Sequence, residues 1–526
     1  MLPSAMKRFL SRASFALALL FGPVVAIAIM ASEMTHLHWA LPVVAFAWAG
    51  LFGLHHLAFG RSPFRRRALR VGLPVLALAI LGAILSRLVR YEGSASGSSY
   101  PKFSWVWEKE AAAPTESVRF DAAAPAAAFA GEWPEFLGPG RAGMVPGPHF
   151  GTDWVASPPE PLWRRPVGKG WSSFAVAEGR AVTQEQRGDD EHVTCLELAS
   201  GEELWSHADR GARLLLERAE NAGAAMGGDG PRATPTLHGG RVFAMGATGI
   251  VNCLELETGR AVWSRHLLRS LGAGPHRWGM ACSPLVLGEA GLVVFVGPEG
   301  RGPSLVACEV DTGETVWTSE GSGGSYASPR LLVLCGREQI VSVEQKEIRG
   351  VAPATGETLW SHPWPGEFPK VGQPLALPGD RLLATASYGA GSLLLQLVKG
   401  EDGAISAGEL WKSNQLKTKF SSAAVIGEHA YGLDEGRLAC IELASGARVW
   451  KREKFGFGQH LLFGDRLLVQ AEPGEVVVGR LGPAGFEETG RLAAFSSMTW
   501  NAPAVAGRVL LVRNDREAAA YLLPEP

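Results

Sequence analysis

No two of the six cysteines are adjacent; they stand at 195, 253, 282, 308, 335 and 440. CxxC and CxxCH are absent, which argues against zinc ribbons, thioredoxin-like redox sites and covalent c-type haem. There is no phosphate-binding glycine loop and no nucleophile elbow. The acidic stretch TQEQRGDDE (Thr183–Glu191) lacks the DxDxDG spacing of a calcium loop and reads as solvated turn acids. No metal site is expected. Excess positive charge is missing where a nucleic-acid surface would need it, since residues 91–526 hold 40 basic and 51 acidic side chains.

Acids, in turn, are nearly missing from the first 90 residues, which carry ten Lys/Arg and only Glu33. The net charge of −2 is therefore +9 followed by −11. Ala13–Ser32 and Met34–Gly60 are charge-free, and Val71–Ser86 is a shorter apolar run between Arg70 and Arg87. These predict three transmembrane helices at about 13–32, 36–59 and 70–89. Lys7, Arg8 and Arg12 precede the first, and Arg61, Arg65, Arg66, Arg67 and Arg70 fill the loop after the second. The positive-inside rule then places the C-terminal domain on the extracytoplasmic, periplasmic side of a bacterial inner membrane. His36, His38, His55 and His56 flank one span and read as interfacial rather than as ligands. Residues 91–130, rich in Ala, Ser and Pro, read as a linker, with FSWVWEK (Phe103–Lys109) as an aromatic island in it.

What is abundant after residue 130 is glycine, proline and tryptophan in a repeat. LELASGEELW, LELETGRAVW, CEVDTGETVW, VAPATGETLW and IELASGARVW end at Trp205, Trp263, Trp317, Trp360 and Trp450. In each, Thr or Ser precedes a Gly, and Trp follows that Gly by four residues. Degenerate copies end at Trp411 and Phe495. The spacing matches a four-stranded blade, with each Trp packed between neighbouring sheets. Upstream lie eight strand starts, including GWSSFAV, PRATPTL, SYASPRL and TWNAPAV. Seven turns and eight starts leave one outer strand missing. PLWRRPV (Pro161–Val167) supplies it, with Trp163 packing on the blade that starts near Trp500. Residues 131–526 are thus expected to be an all-β, eight-bladed β-propeller of four-stranded antiparallel blades, preceded by the helical membrane region. Ala208–Gly227 has a helical pattern and reads as an insertion on the rim.

The TGxxxW turns and the [ST]xP-type starts resemble the PQQ-like β-propeller repeat. That superfamily holds quinoprotein alcohol dehydrogenases and the BamB-type outer-membrane assembly lipoprotein. WPEFLGPGRAG (Trp133–Gly143) is similar to the WPxFRGPxRxG lead-in of many bacterial members. In dehydrogenases of this kind a tryptophan and a disulfide of adjacent cysteines clamp pyrroloquinoline quinone; the disulfide pair is missing here. No cysteine precedes residue 195, so the lipobox of a lipoprotein is missing too, and the three spans are expected to take over anchoring. The resemblance therefore implies a non-catalytic binding or assembly module that meets an envelope protein or polar ligand. No cofactor is expected. The alternative is a quinoprotein oxidoreductase of alcohol- or sugar-dehydrogenase type with an atypical site.

Innermost strands begin at the channel mouth, which predicts a ligand-binding ring of Trp171, Ser172, Arg232, Trp278, Tyr326, Gln373, Lys419, Gln459, Trp500 and Asn501, with Gln184, Gln186 and Arg187 expected to lean over it from the neighbouring loop Thr183–Glu191. Trp163, Trp205, Trp263, Trp317, Trp360, Trp411 and Trp450 are the expected docking residues between blades, with no catalytic role assigned to any residue.

Overall fold

The computed structural model describes residues 89–94, 101–107, 116–121, 124–145, 150–214, 228–300, 302–366 and 368–526, with a few single positions before 89. The three apolar stretches fall almost wholly outside those residues. Among the described residues no helix is long and apolar enough to cross a membrane. Residues 215–227, most of the expected helical insertion, also lie outside them, while its first residues, Ala208 and Asp209, complete the strand Glu203–Asp209.

The chain divides into two compact units. In the first, Val89–Ser94 pairs antiparallel with Pro101–Trp105, and Trp105 stacks on Trp107 at 4.9 Å between ring centroids. The second, 111–219 with 227–526, is an eight-bladed propeller. Blades 1 to 7 are four-stranded antiparallel sheets over residues 175–209, 236–266, 285–320, 330–363, 375–413, 424–454 and 459–493. Blade 8 takes its three inner strands from the C-terminus, Ala504–Ala506, Val509–Arg513 and Glu517–Leu522. Its fourth is Glu160–Pro166, in register through Ala520↔Trp163, so the ring closes with the first and last strands side by side. Val118–Arg119 adds a fifth strand to this blade, which the composition of a spacer did not announce.

Outer strands alternate as a half-buried edge should: Val316 is exposed and Trp317 buried, Val449 exposed and Trp450 buried. The indoles meet a seat in the next blade. A side-chain carbon at Gly201 would lie 2.5 Å from the ring of Trp163; Gly259 faces Trp205, Gly313 faces Trp263, Gly356 faces Trp317 and Gly446 faces Trp411 in the same way. The glycine of each Thr/Ser–Gly turn is thus left bare for the tryptophan of the preceding blade, and it also holds a positive φ of 67–74°. Each ring nitrogen then donates to a carbonyl just upstream of the seat, from Trp163 to Leu198 and Trp205 to Leu256 at 2.9 Å. Trp263 bonds Val310 at 2.8 Å, Trp317 bonds Pro353 at 3.1 Å, and Trp411 bonds Leu443 at 2.9 Å.

Two tryptophans depart from the rule. The hairpin after Trp360 is Lys399–Ala404, with no Thr/Ser–Gly seat, and the Trp360 indole turns to Gln339 of its own blade while still packing among blade 5 leucines. Trp450 reaches the carbonyl of Gly482 at 3.3 Å. Trp163 belongs to blade 8 by strand pairing, as expected, but its indole is seated on blade 1.

Gly259→Ala is expected to lower stability clearly more than Gly427→Ala. Both glycines have positive φ, which costs about 1–2 kcal/mol for alanine, but nothing lies within 4 Å of a side-chain carbon at Gly427. Urea unfolding of the two variants measures the difference, and equal midpoints would contradict the seat.

Candidate functional site at the channel mouth

The innermost strands share one hydrogen-bonded belt around the channel. Ser173 N donates to Thr234 Oγ1 at 3.1 Å, Thr234 N to Ser283 Oγ at 3.0 Å, and Ser283 N to Ser328 Oγ at 2.9 Å. Gln373 continues it with its amide, donating to Ser328 O at 2.8 Å and accepting from Ser328 N at 3.1 Å. Gln373 N then donates to Ser422 Oγ at 3.0 Å. This is the physical role of Thr234, Ser283, Ser328 and Ser422: an inner edge strand has unpaired N–H groups, and the next blade's hydroxyl accepts one. The proline after each of the first three has no N–H to leave unpaired, and its carbonyl is available to the channel.

One end of that channel is plugged by the lead-in. Trp133 N donates to Val176 O, Leu237 N to Pro134 O, and Val145 N to Leu462 O, so the segment spans the inner strands of blades 1, 2 and 7. Arg141, 1% exposed, sends its guanidinium to Ser283 O and Pro329 O at 3.0 Å each and to Pro284 O, while Glu135 pairs with its Nε at 2.8 Å. Arg330 bonds Gly140 O at 2.8 Å and Pro374 O at 2.7 Å, and burial pushes its pKa down to about 10.

The other end is the mouth, two residues before the belt. Its ring of positions is Trp171, Arg232, Ala281, Tyr326, Val371, Phe420, Phe457 and Trp500. It is lopsided. Aromatics from blades 6, 7, 8 and 1 meet, with centroids 4.9 Å apart for Trp171–Trp500 and Phe420–Trp500 and 5.9 Å for Phe420–Phe457. Lys419 is buried against them, its Nζ 4.4 Å from the Phe457 ring centroid, 4.6 Å from that of Tyr388 and 5.9 Å from that of Phe420. Burial pushes the Lys419 pKa down to about 8, opposed by Glu435 and Glu472. Glu472 accepts from Trp500 Nε1 at 2.9 Å and from Phe457 N at 3.1 Å.

On the other half, Arg232 bonds Gly230 O at 2.7 Å and Gly228 O at 2.8 Å, and burial lowers its pKa to about 10. Tyr326 accepts from Trp278 N at 2.9 Å, with ring centroids 6.0 Å apart, and burial raises its pKa. Nearby Glu191 is buried, bonded to Ala247 N at 3.0 Å, and raised to about 8 by burial and then Asp209.

The structure therefore brings Arg232, Trp278, Tyr326, Lys419 and Trp500 to the mouth, with Trp171. Gln373 and Gln459 lie at belt depth, the latter donating to Phe420 O at 2.6 Å and Trp500 O at 3.1 Å. Asn501 is fully buried and donates to Ser172 O at 2.7 Å. Gln184 is not at the mouth: its amide is locked between blades 1 and 2 on Ala233 O at 2.7 Å and Met245 O at 3.3 Å. Gln186 is buried, pairing through its backbone with Lys169, and Arg187 joins Glu185 and Glu203. Phe420, Phe457, Tyr388 and Glu472 were missed. Aligning the eight starts on the Ser/Thr and stepping back two residues finds the first two; Tyr388 and Glu472 come from other strands' turns and carry no such signal.

A family model described as outer membrane protein assembly factor BamB matches residues 189–452. No curated protein sequence matches the chain. Among solved structures, the quinohemoprotein alcohol dehydrogenase from Comamonas testosteroni aligns with TM-score 0.52 and 11% identity over 76% of this chain and 82% of that one. BamB from Moraxella catarrhalis aligns with TM-score 0.35 and 16% identity over 68% and 85%. The first likeness is one of fold.

Two outcomes are expected here. Arg141→Leu leaves proline carbonyls and Glu135 without a buried partner and should cost about 3–5 kcal/mol in urea unfolding; a loss under 1 kcal/mol would contradict the plug. For Lys419 the folded chain binds fewer protons than the unfolded one between about pH 8 and the ordinary lysine value near 10.4. Its destabilising contribution is thus fully present below pH 8 and fades as pH rises through that window. Lys419→Met should gain stability over wild type at pH 7, with the gap closing by pH 10; a gap that stays constant with pH sinks the assignment.

Proposed function

The chain belongs to the family described as outer membrane protein assembly factor BamB, and from that premise we propose that it is a non-catalytic binding or assembly module of the bacterial cell envelope. Its N-terminal apolar stretches would anchor it in the inner membrane through three spans. The arginine-rich loop between the second and third would then stay inside, and the propeller would face the periplasm. The working surface is the channel mouth.

The observation that carries this reading is the pairing of a channel plugged at one end with a lopsided ring of aromatics and cations at the other. Arg141 and Arg330 close one end, so that end offers no through-passage. At the other, half-buried Trp171, Phe420 and Trp278 stand beside the charged Lys419 and Arg232. Large aromatics with adjacent cations are the groups that dominate recognition surfaces.

A quinone is the cofactor that the fold would bring, and the residues present do not fit it. A flat ring system needs parallel faces with a gap between them. The mouth rings touch one another at 39° to 63°, and the sequence has no adjacent cysteine pair.

The test is gentle purification from membranes of wild type and of the Arg232→Ala, Lys419→Ala double variant. Wild type should carry a partner or ligand in stoichiometric amount, with no quinone absorbance, and the variant should retain roughly a tenth of it or less. Undiminished binding by the variant, or a stoichiometric quinone with dye-linked alcohol oxidation, would overturn the proposal.

A further inference from the structure

Lys419 is 6% exposed, yet none of the hydrogen bonds among the described residues uses its ammonium. Instead the group is held by ring faces of Tyr388 and Phe457, with Phe420 further off. A buried ammonium has three donors to satisfy, and cation–π attraction satisfies none of them directionally. A side chain held this way at a channel opening is poised to donate to something that enters.

The charge around it narrows what that is. Two carboxylates flank the rings that hold Lys419: Glu472, bonded to Trp500 Nε1 and Phe457 N, and Glu435, bonded to Ser387 beside Tyr388. Such a setting offers an anion no net attraction, and a cationic ligand would compete with Lys419 for the same ring faces. It suits a neutral molecule with hydroxyl groups, which can accept from Lys419 and donate to carboxylate lone pairs that remain. The ring faces set a second condition. Trp171 and Phe420 are half-buried, and they stand next to the cage through Trp500. A ligand with flat C–H faces as well as hydroxyls would cover them.

Resting on the binding role proposed above, we infer that the mouth between blades 6, 7, 8 and 1 is a site for a neutral saccharide, seated on Trp171 and Phe420 with a ring hydroxyl accepting from Lys419. The saccharide has two possible sources, a free oligosaccharide or the glycan of a cell-wall polymer, and the chemistry at the site is the same for both.

The experiment is calorimetric titration of the purified full chain with chitotetraose, cellotetraose and the anionic tetragalacturonate, alongside co-sedimentation with purified peptidoglycan sacculi. At least one neutral tetrasaccharide should bind. Trp171→Ala should weaken it roughly tenfold and Lys419→Met about fivefold, the size of one hydrogen bond. Lys399→Met, at an exposed blade 5 strand position, should leave it unchanged. Thermal melts establish that each variant is folded. Sedimentation with sacculi that falls in the same variants assigns the polymer as source; no sedimentation alongside tetrasaccharide binding assigns the free sugar. Binding of tetragalacturonate alone, no binding of any saccharide, or neutral binding indifferent to both substitutions overturns the inference. If saccharides fail while Trp171→Ala and Lys419→Met still release a co-purifying partner, the inference falls and the binding role stands. If they release nothing, both fall.

Discussion

The propeller depends on a tryptophan from one blade lying on a bare glycine in the next. Each such indole removes about 150–250 Å² of ring from water, worth roughly 4–6 kcal/mol as an upper bound at 25 cal/mol per Å². No single blade can collect that energy, since the ring and its seat are on different sheets. The same glycine satisfies two demands, a turn with positive φ and a ring-sized vacancy, and only a residue without a side-chain carbon meets both. Stacking therefore is not something added to finished blades. It is the condition for burying either face of any of them.

Closure follows the same logic. Trp163 stands in the outer strand of blade 8 and sits on Gly201 of blade 1, so the seam between the first and last blades uses the same contact as the others. Around the channel, the Ser/Thr belt does for the inner edges what strand pairing does elsewhere. Arg141 then gathers carbonyls from blades 3 and 4 at the plugged end. These devices face inward and answer the problem of unpaired backbone; the outer rim is left to alternating exposed aliphatics and charged side chains.

Much of this was legible beforehand because it repeats. A Thr/Ser–Gly and a Trp four residues later, five times over, specify a blade and its period, and the odd strand PLWRRPV foretold the seam. What repetition could not tell was which blade's glycine serves which tryptophan, and Trp360 shows the cost of assuming that every copy behaves alike. The site was less legible for the same reason. Gln184 was expected to lean over the mouth from a loop, but it stands in the strand Arg180–Arg187 with its amide between two backbone carbonyls. Lys419 was found, whereas the rings that hold it were not, since Tyr388 lies in a turn of blade 5 far from any repeat signature. Trp133–Gly143 was recognised as a pattern, and its physical task, closing the channel with Arg141, needed the carbonyl positions.

The proposed site sits where the repeat is broken. At the belt, seven of eight positions are Ser, Thr or Gln, Ala502 being the exception, and the ring is close to uniform. Two residues earlier the eight positions hold two Trp, two Phe, one Tyr, one Arg, one Ala and one Val. A purely structural ring would have no reason to place four of its five aromatics together on blades 6, 7, 8 and 1 while leaving Ala281 and Val371 on either side of Tyr326 opposite. That asymmetry divides the mouth into an aromatic side and a side that carries Arg232 and Tyr326. A ligand at the proposed site would lie against the aromatic wall and meet Lys419 from one flank, which would give a symmetric fold a single direction of approach.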